Sequence, residues 1–205
     1  MSHADPLSLP VELNVAPELR IRIRHVRPAD KALLREGLAH FSRQSTYQRF
    51  FTPVVTFSEE QLEYLTDVDG ADHVALGALD VTDGTERGVG IARYIHLPET
   101  PGVAEAAVSV VDAYQGRGIG SVLLAALSQF AAAHAIHTFR AYVLVENRRF
   151  LRYLIALGAI CQSNESGIIQ VDLPVRAERS EIPDQPTTAT AQWAWDRVAS
   201  AHRPS

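Results

Sequence analysis

Between residues 73 and 111 the chain reads in a period of two, and a glycine-rich turn then returns it to a helical period. HVALGALDV (73–81), GVGIARYIHL (88–97) and AEAAVSVV (104–111) are apolar runs of strand length, separated by Asp83-Gly84 and by Pro98 to Gly102. Connections that short cannot hold a crossover helix, so three successive strands should pair as an antiparallel meander. The third run leads into DAYQGRGIGSVLL (112–124), where Gly116, Gly118 and Gly120 stand just before an alanine-rich stretch. Val122, Leu123, Ala126, Leu127 and Phe130 of that stretch share one helical face.

The flanks fill in around this centre. Leu19 to Arg24 alternates strictly, placing Leu19, Ile21 and Ile23 on one face of a strand and Arg20, Arg22 and Arg24 on a face expected to be solvated. Pro28-Ala29-Asp30 ends that strand and opens a helix with Leu33, Leu34, Leu38 and Phe41 on one side. STYQRFF (45–51) reads as a second helical turn, and Ser58 with Gln61 forms a capping box that opens a third helix carrying Leu62 and Leu65. Beyond the glycines come a strand at FRAYVLV (139–145), a helix at RRFLRYLIALG (148–158) ending on Gly158, and a strand at GIIQVDLPV (167–175). Residues 1–18 read as a loose lead-in, 19–175 as the folded domain, and 176–205 as a tail with a short helix beyond a proline-rich linker. The expected class is α/β, with a mixed, mostly antiparallel central sheet flanked by helices.

A chain of 205 residues suits one well-buried core. Its net charge of −5 lacks the basic footprint of a nucleic-acid binder. Its apolar runs stop short of a bilayer span, and MSHADPLSLP lacks the basic start and apolar centre of a secretory signal. One cysteine, Cys161, cannot form an intramolecular disulfide, which points to a reducing, cytoplasmic setting. Beside Ala159 and Ile160 it reads as a buried, inert thiol. No His, Cys and Asp cluster has metal-ligand spacing, so no metal is expected.

Two familiar phosphate loops nearly fit residues 115–120 and fail. A Walker A loop needs a lysine after its glycines, and none follows. A dinucleotide fingerprint needs glycine where Ser121 stands, and an acid some 20 residues on, whereas Glu146 lies 30 beyond Gly116. One glycine would suffice for a tight turn. Three offer a run of unobstructed backbone N–H groups at a helix N-terminus, a place for a phosphate or pyrophosphate of unstated owner.

The run Gln-Gly-Arg-Gly-Ile-Gly between strand and helix resembles the acyl-CoA signature [Q/R]-x-x-G-x-[G/A] of the GNAT superfamily of N-acetyltransferases. The resemblance extends over residues 19–174 and is nearest to bacterial Pat-type protein-lysine acetyltransferases, through VRPADKALLREGLAHFSRQSTYQRFF and EAAVSVVDAYQGRGIGSVLL. It implies a GNAT fold and acetyl-CoA as co-substrate. The CoA pyrophosphate would lie on the backbone of Gln115, Gly116, Arg117, Gly118, Ile119, Gly120 and Ser121, and pantetheine along the splayed strand edge at Val108, Ser109 and Val110. Asn147 and Arg149 would contact the CoA arm, with helix capping as the competing role. The tyrosine that often serves as general acid, seven residues after the asparagine, is replaced by Leu154; Tyr153 is one residue off, about 100° around the helix.

Acyl transfer to an amine needs a neutral amine, and a free lysine has a pKa of about 10.4, so a base must take a proton. Glu105 opens the strand that feeds the loop, and by motif match it inherits the base role. Among Ala104, Ala106 and Ala107 it is expected to be partly desolvated, with a raised pKa. The N–H of Val110 is the oxyanion donor that the resemblance implies, and His73 reads as a packed residue. The expected activity is N-acetylation by direct transfer from acetyl-CoA, with a protein lysine as first acceptor and a small-molecule amine as the alternative. A non-catalytic acyl-CoA sensor is a further alternative; the chain would act as a monomer or homodimer. An open groove beside Glu105 would favour a protein acceptor, and a closed pocket built from residues 27–66 a small one.

Overall fold

The computed structural model describes residues 7–163 and 167–201. Its centre is one eight-stranded sheet in the order β1-β2-β3-β4-β5-β6-β8-β7. The strands are β1 (Val11–Ala16), β2 (Leu19–His25), β3 (His73–Asp80), β4 (Arg87–His96), β5 (Val103–Val110), β6 (Thr138–Leu144), β7 (Ile160–Ser163) and β8 (Ile168–Pro174). The meander is present as expected, β3, β4 and β5 pairing antiparallel in sequence order. Among the described residues the only parallel neighbours are β5 and β6, because the connection between them is a helix long enough to reverse the chain.

That helix is α4 (Ile119–Ala133), and it is buried on more than the one face its spacing suggests. Leu124, Ala125, Ser128 and Ala131 are buried along with Val122, Leu123, Ala126, Leu127 and Phe130. A helix apolar nearly all round needs cover on both sides. The sheet covers one side, and α6 (Ala189–Ala201) covers the other with Ala191, Ala194, Trp195 and Val198. The Trp195 indole N–H donates to the Arg176 carbonyl at 2.9 Å, fixing α6 to the chain just past β8. Helix α5 (Arg148–Ala156) buries Leu151 and Leu154. On the opposite face of the sheet lie α1 (Lys31–Ala39), α2 (Arg43–Phe50) and α3 (Glu59–Thr66). Among the described residues, no helix is long and apolar enough to cross a membrane.

Three expectations are corrected. Residues 11–16, read as loose lead-in, form β1: Val11 and Leu13 are buried while Glu12 faces out and pairs with Arg22 at 2.7 Å. The period-two pattern was present in VELNVA, and the prolines around it obscured it. Cys161, read as buried, is exposed, because it lies on the four-residue edge strand β7 beside Ile160, which is 67% exposed. The arginine face of β2 is not uniformly solvated. Arg24 is 8% exposed and donates two hydrogen bonds to Asp30, at 2.6 and 2.8 Å.

This last pair ties β2 to the turn that begins α1. Burial acts to raise the Asp30 carboxyl, but the Arg24 guanidinium and the Arg27 N–H outweigh it and hold the group below its ordinary value. Replacing Asp30 by asparagine leaves Arg24 without its carboxylate, and a loss of about 3 kcal/mol is expected in denaturant titration. Because the folded value is depressed, the pair's contribution is complete above about pH 4 and disappears as pH falls through the lower folded value. A denaturation midpoint unmoved by the substitution contradicts this.

Candidate active site

β5 and β6 pair at only three positions, Val103 with Thr138, Ala104 with Phe139 and Glu105 with Arg140. Beyond Glu105 the two strands part, and β5 runs on to Val110 against β4 alone. The Val111 N–H donates to Val89 at 2.9 Å, and the Leu97 N–H to Val103 at 3.0 Å. Counting in twos between these bonds, Glu105, Ala107 and Ser109 turn their backbone groups toward β4, and Val108 and Val110 turn theirs into the gap. The Val110 carbonyl is taken by the Gln115 side-chain amide at 3.1 Å, which leaves its N–H facing the opening. The gap is a cleft of about 450 Å³, floored by residues 105–110 and closed at one end by the glycine loop.

Gly116 (φ 76°) and Gly118 (φ 84°) are in the left-handed region, and Gly118 is the N-cap of α4. This bends the chain sharply enough to present successive N–H groups at the helix start. Side chains hold the loop from beneath. Gln115 donates to Asp112 at 2.9 Å and to Ser45 at 3.3 Å, and Asp112 accepts from the Ser42 N–H at 2.5 Å and from the Ser45 hydroxyl. The Tyr114 hydroxyl donates to Asp80 at 2.8 Å. Burial acts to raise the Asp112 carboxyl, and the Ser45 and Ser42 donors overcome it, so the group stays ionised and holds α2 to the loop. Gln115 thus supplies backbone to the cleft while its side chain is spent within the fold.

Gly118 has a second constraint: a Cβ there would stand 2.7 Å from the Trp193 ring of α6. Gly120 differs, since it is helical and its Cβ would meet only Val110 and Val108 side chains at 3.6 and 3.8 Å. Arg149 reaches over the loop, its guanidinium 3.9 Å from where a Gly116 Cβ would be. Asn147 lines the cleft, but its carbonyl oxygen also accepts from the Phe150 N–H at 3.4 Å, so it caps α5. Tyr153 stands about 100° around α5 from Leu154, which replaces the acid tyrosine, and both residues line the cleft. The Tyr153 ring is stacked near Phe150, and its hydroxyl donates to Ser121 at 2.9 Å. Burial pushes that phenol upward, so at neutral pH it is a donor.

Glu105 sits on the cleft floor at the point where the strands part. The expectation of a desolvated carboxylate fails, because its side chain is exposed. The alanines around it leave space that water can use as well as substrate. His73 is buried on β3 against Tyr64, with ring centroids 5.3 Å apart. Burial, then the neighbouring Arg93 charge, lowers its pKa, so it is neutral at pH 7 and packed, as expected.

A pocket of about 110 Å³ lies between α1–α3 and strands β3–β5, walled largely by residues within 27–66. The apolar face of α1 (Leu33, Leu34, Leu38), with Phe41, Phe50, Phe57 and Leu65, lines it rather than filling a core. It meets the cleft at Phe41, Arg49 and Ser109, which line both. Two arginines face it that no spacing argument selected, Arg49 on α2 and Arg93 on β4. Arg93 is cross-strand from Ala107, and therefore on the same sheet face as Glu105 and Ser109.

Comparison with known proteins places this geometry. The family profile described as acetyltransferase (GNAT) domain matches residues 20–160. The chain belongs to the GNAT acetyltransferase family. "Acetyltransferase Pat" of Mycolicibacterium smegmatis is 32% identical over 167 residues, covering 80% of this chain and 49% of that protein. The chain thus spans about half the length of that relative. "Acetyltransferase PA5475" of Pseudomonas aeruginosa is 30% identical over 151 residues, 74% of this chain and 81% of its own. Among solved structures, the GNAT domain of S. lividans PAT superposes with a TM-score of 0.69 at 26% identity, over 80% of this chain and 96% of that one. The GNAT fold expected from the loop signature is therefore the fold observed, an open mixed sheet flanked by helices.

Proposed function

We propose that the cleft binds acetyl-CoA and that Glu105 is the general base for direct transfer of the acetyl group to an amine. The observation that carries this reading is the parting of β5 and β6 at Glu105, beside a loop of backbone donors. The outward N–H groups of Val108 and Val110 suit a pantetheine arm lying alongside Ser109 as an added strand. The backbone of Gln115 to Ser121, including Gly116, Arg117, Gly118, Ile119 and Gly120, with Arg149 above it, suits the pyrophosphate.

In the reaction the amine nitrogen attacks the thioester carbonyl carbon. A C–N bond forms, and the C–S bond breaks as the tetrahedral intermediate collapses. The proton lost from nitrogen passes to the Glu105 carboxylate, directly or through one water. The Val110 N–H faces the developing oxyanion, and CoA leaves as a thiolate that is protonated from solvent.

Of the acceptors weighed, a small amine is the one the geometry supports best, because residues of α1–α3 wall a pocket that opens onto the cleft. A protein lysine is the second reading, favoured by the exposure of Glu105 at the cleft floor and by the likeness to Pat-type relatives. Turnover of acetyl-CoA against small amines and against acyl-CoA-synthetase-type proteins separates the two. Faster transfer to the small amines is the expected result. Transfer to the proteins alone reverses the order of the readings, and acetyl-CoA binding without any transfer favours a sensor.

A further inference from the structure

The pocket under α1–α3 is apolar except for Ser109 at its mouth and four charged side chains, Arg24, Asp30, Arg49 and Arg93. Arg24 and Asp30 neutralise each other. Arg49 and Arg93 have no such partner: among the described residues, no carboxylate forms an ion pair with either. Arg93 is 7% exposed, and its guanidinium donates to two neutral acceptors, the Leu65 carbonyl at 3.1 Å and the His73 Nε2 at 3.3 Å, neither of which balances its charge. Arg49 rests over the Phe50 ring, 5.0 Å from its centroid, and the one carboxylate acting on it is the exposed Glu105 across the cleft. Burial and the like charge of Arg49 together push the Arg93 guanidinium down to about 10, still cationic at neutral pH.

A poorly solvated cation without a counter-ion is costly, and the same chain supplies Arg24 with a two-bond partner six residues on, at Asp30. Guanidinium forks in a dry, apolar enclosure match a carboxylate by shape and charge. The enclosure, at about 110 Å³, is smaller than the cavity of about 150 Å³ that holds a benzene molecule, but it opens onto the cleft, so an apolar body can enter with its larger part held at the mouth.

We propose that this pocket is a carboxylate-recognition site, in which Arg49 and Arg93 take the carboxylate of a small apolar reactant while Leu33, Leu34, Leu38 and Phe57 hold its body. The proposal rests on the transferase reading for its orientation: a ligand anchored there leaves through the mouth at Ser109 and Arg49, toward the floor that carries Glu105. An α-amino acid with an aliphatic or aromatic side chain has the required carboxylate, apolar body and amine. A dicarboxylic acyl-CoA would bring the same carboxylate on the donor instead.

The test compares leucine, methionine and phenylalanine with isoamylamine, 3-(methylthio)propylamine and phenethylamine, the same bodies without the carboxylate, on the full chain with acetyl-CoA. The amino acids are expected to show a KM lower by about tenfold or more, the worth of a charge-assisted hydrogen bond. Arg49→Met and Arg93→Met should each abolish that difference. Leucine should also raise the melting temperature of the wild type and of neither variant, a readout that needs no turnover. In a second arm, a preference for succinyl-CoA over acetyl-CoA that the same variants lose would move the carboxylate to the donor and keep the site. Equal KM values for acids and amines, with no thermal shift and no succinyl preference, overturn the site while leaving acetyl transfer intact. Arg-dependent leucine binding without transfer to any acceptor retains the site and refutes the transferase reading. If Arg93→Met instead lowers the melting temperature and preserves the preference, Arg93 is a strap between β4 and α3, and its assignment fails.

Discussion

Replacing Glu105 by glutamine is expected to slow acetyl transfer by about 10²–10⁴-fold and to leave acetyl-CoA affinity unchanged. The substitution keeps the side-chain size and removes only the proton acceptor. The Glu105 side chain is exposed and makes no hydrogen bond to other described residues, so stability should not move. The measurement pairs calorimetric titration with acetyl-CoA and steady-state turnover with a saturating amine. Full turnover in the variant removes Glu105 as the base. Loss of donor binding together with turnover would mean that Glu105 shapes the cleft instead of taking a proton.

The second large effect separates two glycines of one loop. Gly120→Val is expected to weaken acetyl-CoA binding by about ten- to a hundredfold, as overpacking of about 1–3 kcal/mol dictates, while the melting temperature holds or rises. Its Cβ meets Val110 and Val108 at ordinary contact distance, so the added methyls extend into the donor cleft, and the helix loses a glycine. Gly118→Val should fail differently. Sequence alone suggests that it would abolish donor binding without unfolding the chain, but its φ of 84° and the Trp193 ring 2.7 Å from a Cβ make it a fold-breaking change as well. A Gly118→Ala variant should therefore melt lower than wild type, and Trp193→Ala should restore part of the loss by removing the clash. Unchanged acetyl-CoA affinity in Gly120→Val contradicts the loop assignment, since the fold is then intact to be judged.

The contrast between these glycines shows where the sequence was informative. The meander, the helix after it and the backbone cradle were legible because each is written in local terms: period two, short turns, then three glycines before an apolar helix. The strand β1 was equally local in VELNVA and was hidden only by flanking prolines. The packing of Trp193 on Gly118 joins positions 75 apart, and no local pattern reports it, although the near absence of polar positions on α4 signalled that something had to cover its outer face. The exposure of Glu105 and of Cys161 was misjudged for one reason. Small or apolar sequence neighbours were taken as burial, whereas in a strand burial is decided by what packs on each face, and both residues lie where the sheet is uncovered. Arg49 and Arg93 were invisible because their significance is the lack of a carboxylate across space. Leu33, Leu34 and Leu38 are legible as a helical stripe, but periodicity alone does not tell a core from the wall of a pocket, and here the stripe lines a pocket.

Direct transfer inside a ternary complex is the central claim, and initial-rate kinetics with acetyl-CoA and amine varied together test it most directly. Reciprocal plots should intersect, and one CoA thiol should be released for each acetylated amine, because the acetyl group never rests on the protein. Parallel lines, with an acetylated enzyme detectable by mass after incubation with acetyl-CoA alone, would contradict the account and place a nucleophile where Glu105 is assigned as a base.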